Sequence, residues 1–294
     1  MTEYTSEALY TIDEHETCLS AVRDLGAESP DGVLFKRPKN FDWVDVTVAE
    51  FLDDVYAVAK GLVANGIEPG DRVVIMSDTR YEWTVCDFAT LFAGGVVVPI
   101  YETNSTEQAA FILGDSGAKL AFGETGRHVK ILQEAAEVNG GELPGGIWRL
   151  MDGTENILDD LKKAGEAISD DEVVARETQA RPETIASLVY TSGTVSDPRG
   201  AAITHANLAH LAVNAVEELQ EILHSEASTV LLLPLAHILA RFVQLAAFWG
   251  GAQITHVRDA SRVVPVIAAA KPTFMVLVPR VMATVSPSIT SRPK

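Results

Sequence analysis

With 294 residues, 47% of them hydrophobic and 22% charged, the chain can bury the core of one large domain or two lobes, which excludes disorder as its default state. Its 23 Lys and Arg against 41 Asp and Glu leave a formal charge of −18, a field that repels nucleic acid, so no nucleic-acid partner is expected. Cys18 and Cys86 stand far apart and outside any CxxC spacing, which excludes a disulfide framework or a thiolate zinc site and fits a reducing compartment.

Residues 1–16 read as a polar tail without a basic-then-apolar leader. No apolar run approaches the roughly 20 residues that a membrane span needs. The expectation is a cytoplasmic protein without a transmembrane segment, with peripheral membrane contact left open. Thr47 to Glu50 form a capping-box pattern, and Val48, Phe51, Leu52, Val55, Val58, Ala59 and Leu62 recur at helical spacing until Gly66. The turn Pro69-Gly70-Asp71 then leads to a strand over Val73–Met76, a helix from about Thr79 to Ala93, and a strand over Val96–Ile100. Ser105 and Gln108 open another helix, followed by a strand at Lys119–Phe122, a helix at His128–Val138, a strand at Ile147–Met151 and a helix at Ile157–Ala167.

Residues 169–185 are polar and aperiodic and read as a linker. Beyond it come strands at Ser187–Tyr190 and Ala201–Thr204, a helix at Ala206–Leu223 and a strand at Val230–Leu233. A helix at Ile238–Trp249, a strand at Gln253–Val257, a helix at Val263–Ala270 and a strand at Phe274–Val278 follow. Residues 282–294 form a Ser/Thr/Pro-rich irregular tail. Apolar strands alternating with amphipathic helices predict an α/β protein with largely parallel sheets covered by helices. The pattern divides into two βα lobes, 17–168 and 186–281.

Between the strands of the second lobe, Thr191 to Gly200 is rich in hydroxyls and glycine and carries one cation, Arg199. Such a loop can turn successive N–H groups toward phosphate oxygens, with hydroxyls and a guanidinium adding donors. Without Gly-Lys-Ser/Thr it is not a Walker A loop. Taken alone it reads more readily as a tight connection in which Asp197-Pro198 starts a turn and Arg199 is solvated.

The run Leu188-Val189-Tyr190-Thr191-Ser192-Gly193-Thr194, continued by Asp197-Pro198-Arg199-Gly200 and Thr204-His205-Ala206-Asn207-Leu208, resembles the signature loop of the AMP-dependent synthetase/ligase (adenylate-forming) superfamily. Ordered matches extend from about residue 17 to 281. They include Gly66 to Val73, Glu82-Trp83, Val98 to Thr103, Leu233-Pro234-Leu235-Ala236-His237 and Lys271-Pro272-Thr273 through Pro279-Arg280-Val281. Ala236-His237-Ile238-Leu239-Ala240-Arg241 is most similar to the long-chain fatty-acid–CoA ligase branch.

That resemblance implies the N-terminal portion of an acyl-adenylating enzyme using ATP, Mg²⁺ and CoA on a fatty acid or other carboxylic acid. It implies that Thr191, Ser192, Gly193, Thr194 and Arg199 hold the β- and γ-phosphates, Arg199 standing where the family usually has Lys. His237 would sit near the junction of the nucleotide and acyl pockets. No catalytic residue and no metal ligand is assigned within the chain. Val195 and Ser196 depart from the family's hydroxyl residue and Gly, and one lost charge-assisted hydrogen bond costs on the order of 1.5–3 kcal/mol. The family's adenine, ribose, hinge and catalytic-Lys segments have no counterpart up to Lys294, so the chain is expected not to complete thioester formation alone. The alternatives are a non-catalytic remnant that binds a ligand or partner, and another adenylating ligase of the superfamily.

Overall fold

The computed structural model describes residues 7–39, 42–152, 155–156, 158–191, 198–259, 263–279 and 282. In chain order the elements are α1 (Ser20–Glu28), β1 (Val33–Lys39), β2 (Asp42–Thr47), α2 (Val48–Ala64), β3 (Arg72–Met76), α3 (Tyr81–Phe92), β4 (Val96–Ile100) and α4 (Thr106–Ser116). They continue with β5 (Leu120–Gly123), α5 (Gly126–Val138), β6 (Ile147–Arg149), β7 (Met151–Asp152), β8 (Glu155–Asn156), α6 (Leu158–Ala164) and α7 (Asp170–Glu177). The last are β9 (Ile185–Thr191), β10 (Arg199–Thr204), α8 (His205–Glu218), β11 (Ser228–Leu231), α9 (Ile238–Trp249), β12 (Gln253–His256) and α10 (Val263–Ala270).

Local chemistry sets several of these boundaries. The Thr47 hydroxyl accepts from the Glu50 amide at 3.2 Å while the Glu50 carboxylate accepts from the Thr47 amide at 2.8 Å, the reciprocal box that starts α2. Ser105 and Gln108 repeat it at α4. Gly66, at φ +80°, turns the chain just past α2, a conformation that costs other residues about 1 kcal/mol or more.

Six strands in the order β10-β9-β4-β3-β5-β6 form one sheet, and four in the order β11-β12-β1-β2 form another. Only the β10–β9 and β1–β2 neighbours in these sheets are antiparallel. The α/β architecture with largely parallel sheets is therefore as the alternating pattern predicts.

Each sheet draws strands from both sides of residues 169–185. The β1–β2 hairpin, which lacks a strong sequence signal, joins β12 in parallel, and β9 joins β4. Nor is that stretch irregular: Ser169 caps α7, whose Val173 is buried and whose Arg176 donates to the Ile67 carbonyl at 2.6 Å. Two helical turns with so few apolar residues give no readable period. The strand expected at Phe274–Val278 is reduced to one parallel bridge, Thr229↔Phe274, although Met275 and Leu277 still pack against Val230 and Val257.

Helix α3 is buried on every face. It packs on β3 and β4, while its Thr84 lies 3.3 Å from His256 of β12 and donates to Gln244 of α9 at 2.6 Å. Around it Phe35, Phe51, Phe88 and Phe248, from β1, α2, α3 and α9, pack with ring centroids 5.0 to 6.0 Å apart. The two sheets thus share one core across α3.

Candidate functional site

Strands β9 and β10 form a hairpin in which Thr191 pairs with Arg199 and Tyr190 with Gly200. Gly200 lets the Tyr190 ring lie across it: a Cβ there would meet the ring 3.0 Å away. The Tyr190 hydroxyl donates to Asp115 of α4 at 2.6 Å, and Phe111 meets its ring edge-on. These contacts hold the stem, and at its mouth Thr191 and Arg199 stand exposed on adjacent strands. Ser192, Gly193 and Thr194, with Val195 and Ser196, lie outside the described residues.

His237 is also exposed and caps α9, its Nδ1 accepting from the Leu239 amide at 3.2 Å. With Nδ1 used as an acceptor, the neutral ring carries its proton on Nε2, which has no hydrogen-bond partner among the described residues and can donate to an anionic oxygen. The turn before it is fixed by Thr79, just beyond β3, whose hydroxyl donates to the Leu233 carbonyl at 2.7 Å and accepts from the Leu235 amide at 3.0 Å.

Because β3, β4 and β9 run parallel, Thr79 and Thr191 emerge at the same edge of the six-stranded sheet, two strands or about 10 Å apart. The fold therefore gathers Thr191, Arg199 and the His237 turn at the carboxyl ends of the strands, where open α/β sheets bind ligands. Exposed hydroxyl, guanidinium and imidazole N–H groups are the donor set a polyphosphate requires. Among the described residues no group of three or more His, Cys, Asp or Glu side chains is placed to hold a metal ion.

Two charged clusters were given no role by the sequence. In the first, Arg241 of α9 grips Asp87 of α3 through two bonds, Nη2–Oδ1 at 2.6 Å and Nε–Oδ2 at 3.2 Å, and donates from Nη1 to Ser187 of β9 at 2.7 Å. All three side chains are buried. Burial pushes the Asp87 carboxyl up, against the pull of the Arg241 cation. Nearby, His205 at the start of α8 lies 3.1 Å from the Cys18 sulfur. Burial, reinforced by Arg241, holds its imidazole down at about 4, and burial pushes the Cys18 thiol up to about 12, so the pair is neutral and structural.

The second cluster lines an open cleft of about 860 Å³ between the sheets. Arg37 and Arg80 both bond Glu82, Arg80 and Arg258 both bond Glu124, and Arg258 also bonds Asp78 at 2.6 Å. Burial alone would raise the Glu82 carboxyl, but the two guanidiniums hold it below the usual range. His256, stacked on Phe35, is kept neutral by burial, down at about 3. For the first cluster the sequence signals were an acid between the apolar Cys86 and Phe88 and the presence of Arg241 in the motif that carries His237. The second had none beyond Glu82-Trp83.

Comparison with known proteins gives a match to the AMP-binding enzyme family over residues 23–292. A long-chain-fatty-acid–CoA ligase, FadD15, of Mycobacterium bovis is 38% identical over 287 residues, 97% of this chain and 47% of that protein. ACSBG2 of Gallus gallus, also named a long-chain-fatty-acid–CoA ligase, is 27% identical over 94% of this chain and 37% of its own length. The chain thus spans about half the length, or less, of the curated relatives it matches. Among solved structures, the N-terminal domain of FACL13 from Mycobacterium tuberculosis superposes with a TM-score of 0.73 at 21% identity, covering 94% of this chain and 67% of that one. VinN superposes at 0.75 and 18% identity, covering 96% and 66%. At these identities the superpositions establish the fold.

Proposed function

Since the chain belongs to the AMP-binding enzyme family, we propose that it supplies the phosphate-gripping part of a long-chain fatty-acid–CoA ligase. The reaction has two steps. A fatty-acid carboxylate attacks the α-phosphorus of ATP, releasing pyrophosphate and leaving acyl-AMP. The CoA thiolate then displaces AMP to give the thioester. Both steps are assisted mainly by positioning and by neutralising charge on the phosphates.

The observation that carries this reading is the pairing of Thr191 with Arg199 at the carboxyl edge of the six-stranded sheet, on the same edge as the His237 turn. Arg199 supplies charge to the departing pyrophosphate and the Thr191 hydroxyl a further donor, with Ser192, Gly193 and Thr194 completing the grip. His237, donating from Nε2, orients the carboxylate or an α-phosphate oxygen. Mg²⁺ arrives with the triphosphate, a carboxylic acid is the acyl donor, and CoA the acceptor. Cys18 and Cys86 are free and buried, and no helix among the described residues is long and apolar enough to cross a membrane. The free thiols support the cytoplasmic location that goes with this reading.

The test is the thermal midpoint of the chain with and without magnesium–ATP, together with pyrophosphate release in the presence of a long-chain fatty acid. A midpoint rising with ATP concentration supports the grip. An unmoved midpoint at millimolar ATP contradicts it. Stabilisation without pyrophosphate release is the result for a part that grips the nucleotide without completing the reaction, and release would show that the chain also carries out the first step.

A further inference from the structure

The buried cluster on α9 connects two parts of the candidate site that are distant in sequence. Arg241 follows His237 by one helical turn, and its backbone amide bonds the His237 carbonyl. Its guanidinium reaches Ser187, which precedes Thr191 by four residues and so shares its face of β9 under the strand period of two. The Ser187 hydroxyl in turn donates to the Val97 carbonyl of β4 at 2.7 Å. Among the described residues, Val97↔Ser187 is also the single register pair by which β9 joins β4. The strand that enters the phosphate loop is therefore fastened to the sheet at the same residue that Arg241 holds. Asp87 fixes the guanidinium plane through two bonds, so Arg241 cannot swing while keeping Ser187.

We propose that Arg241 is a positioning residue that locks the phosphate-loop strand to the His237 helix, so that Thr191, Arg199 and His237 meet the nucleotide as one rigid frame. This rests on the ATP-phosphate reading above. Arg241 itself touches no substrate. Its cation is neutralised by Asp87 and closed off from solvent, and it acts through Ser187 on one side and the first turn of α9 on the other.

The experiment is a double-mutant cycle on magnesium–ATP affinity, measured by calorimetry on folded chain below its thermal midpoint. Ser187→Ala removes two hydrogen bonds, the one from Arg241 and the one to the Val97 carbonyl, and leaves Arg241 paired with Asp87. It should weaken ATP binding about tenfold, the share of one hydrogen bond to a charged group. In an Arg199→Ala background the same change should cost little further affinity, because the loop being positioned has already lost its cation.

A second variant, Arg241→Met with Asp87→Leu, removes both buried charges together and so should fold. It should reproduce the loss of ATP affinity. Unchanged affinity in Ser187→Ala, in the paired variant, or in both overturns the inference and leaves the phosphate reading standing. So does a loss from Ser187→Ala that is fully additive with Arg199→Ala, since a packing defect would act independently of the loop. Absence of ATP binding by the unaltered chain overturns both.

Discussion

The two charged clusters tie the same two halves of the molecule together by opposite means. The Arg241–Asp87 pair joins α9 to α3 in a dry core, with side-chain exposures of 2% and 3%, and each partner has one counter-ion. The cleft lattice from Arg37 through Glu82, Arg80, Glu124 and Arg258 to Asp78 shares each inner charge between two partners, and its most exposed member, Arg258, is 55% exposed. Burial makes the first connection all-or-none, because a single deletion strands a charge where water cannot reach it. Redundancy and solvent make the second graded and sensitive to salt. A site that must hold three groups in fixed relation is better served by the first. An open cleft between sheets can tolerate the second.

The sharpest way to break that contrast is Arg241→Leu alone. It should cost about 3–5 kcal/mol of unfolding free energy in a urea titration, and the loss should not change with salt, because Asp87 is left buried and unpaired. Restoring most of that stability by adding Asp87→Leu would show that the stranded charge is the cause.

Acidification probes the same region less severely. The unfolded chain's histidines take up protons below about 6.5, whereas His205 in the fold resists until about 4 and His256 until about 3. Below 6.5 the unfolded state therefore binds more protons, and stability falls as pH falls. The contribution of His205 is intact at neutral pH and is lost through the window from 6.5 to 4. Urea titrations at a series of pH values should show a shallower decline across that window for His205→Asn than for the unaltered chain.

The smallest effect belongs to the cleft. Arg258→Ala should cost about 1 kcal/mol or less at low ionic strength and nothing measurable at about 1 M salt, because Arg80 still holds Glu124. A loss comparable to that of Arg241→Leu would erase the distinction.

How much of this was legible in the sequence follows from the range of the interactions. The caps at Thr47 and Ser105 are local, span three residues, and could be read directly. The helix at Ile238–Trp249 was readable because its apolar period is long and uninterrupted. By contrast α7 is too short and polar to show a period. The pairing of β1 with β12 depends on aromatic packing of Phe35 with Phe248 and His256, which no local pattern announces.

The same holds for the site. Thr191, Arg199 and His237 were read from contiguous motifs. Arg241 closes the same motif as His237, but its partners lie far off in the chain: Arg241 and Asp87 are 154 residues apart, and Arg241 and Ser187 are 54 apart. A lone Asp in an apolar helix signals that some cation must answer it, but not which one.

The central claim is that the hairpin mouth grips ATP phosphates through Arg199. The direct measurement is a calorimetric titration of magnesium–ATP into the unaltered chain and into Arg199→Ala, a variant at an exposed position that should leave the fold intact. Loss of a charge-assisted contact should weaken binding about tenfold or more, with little change in thermal midpoint. Equal affinity in the two proteins, or no binding by the unaltered chain, would contradict the account.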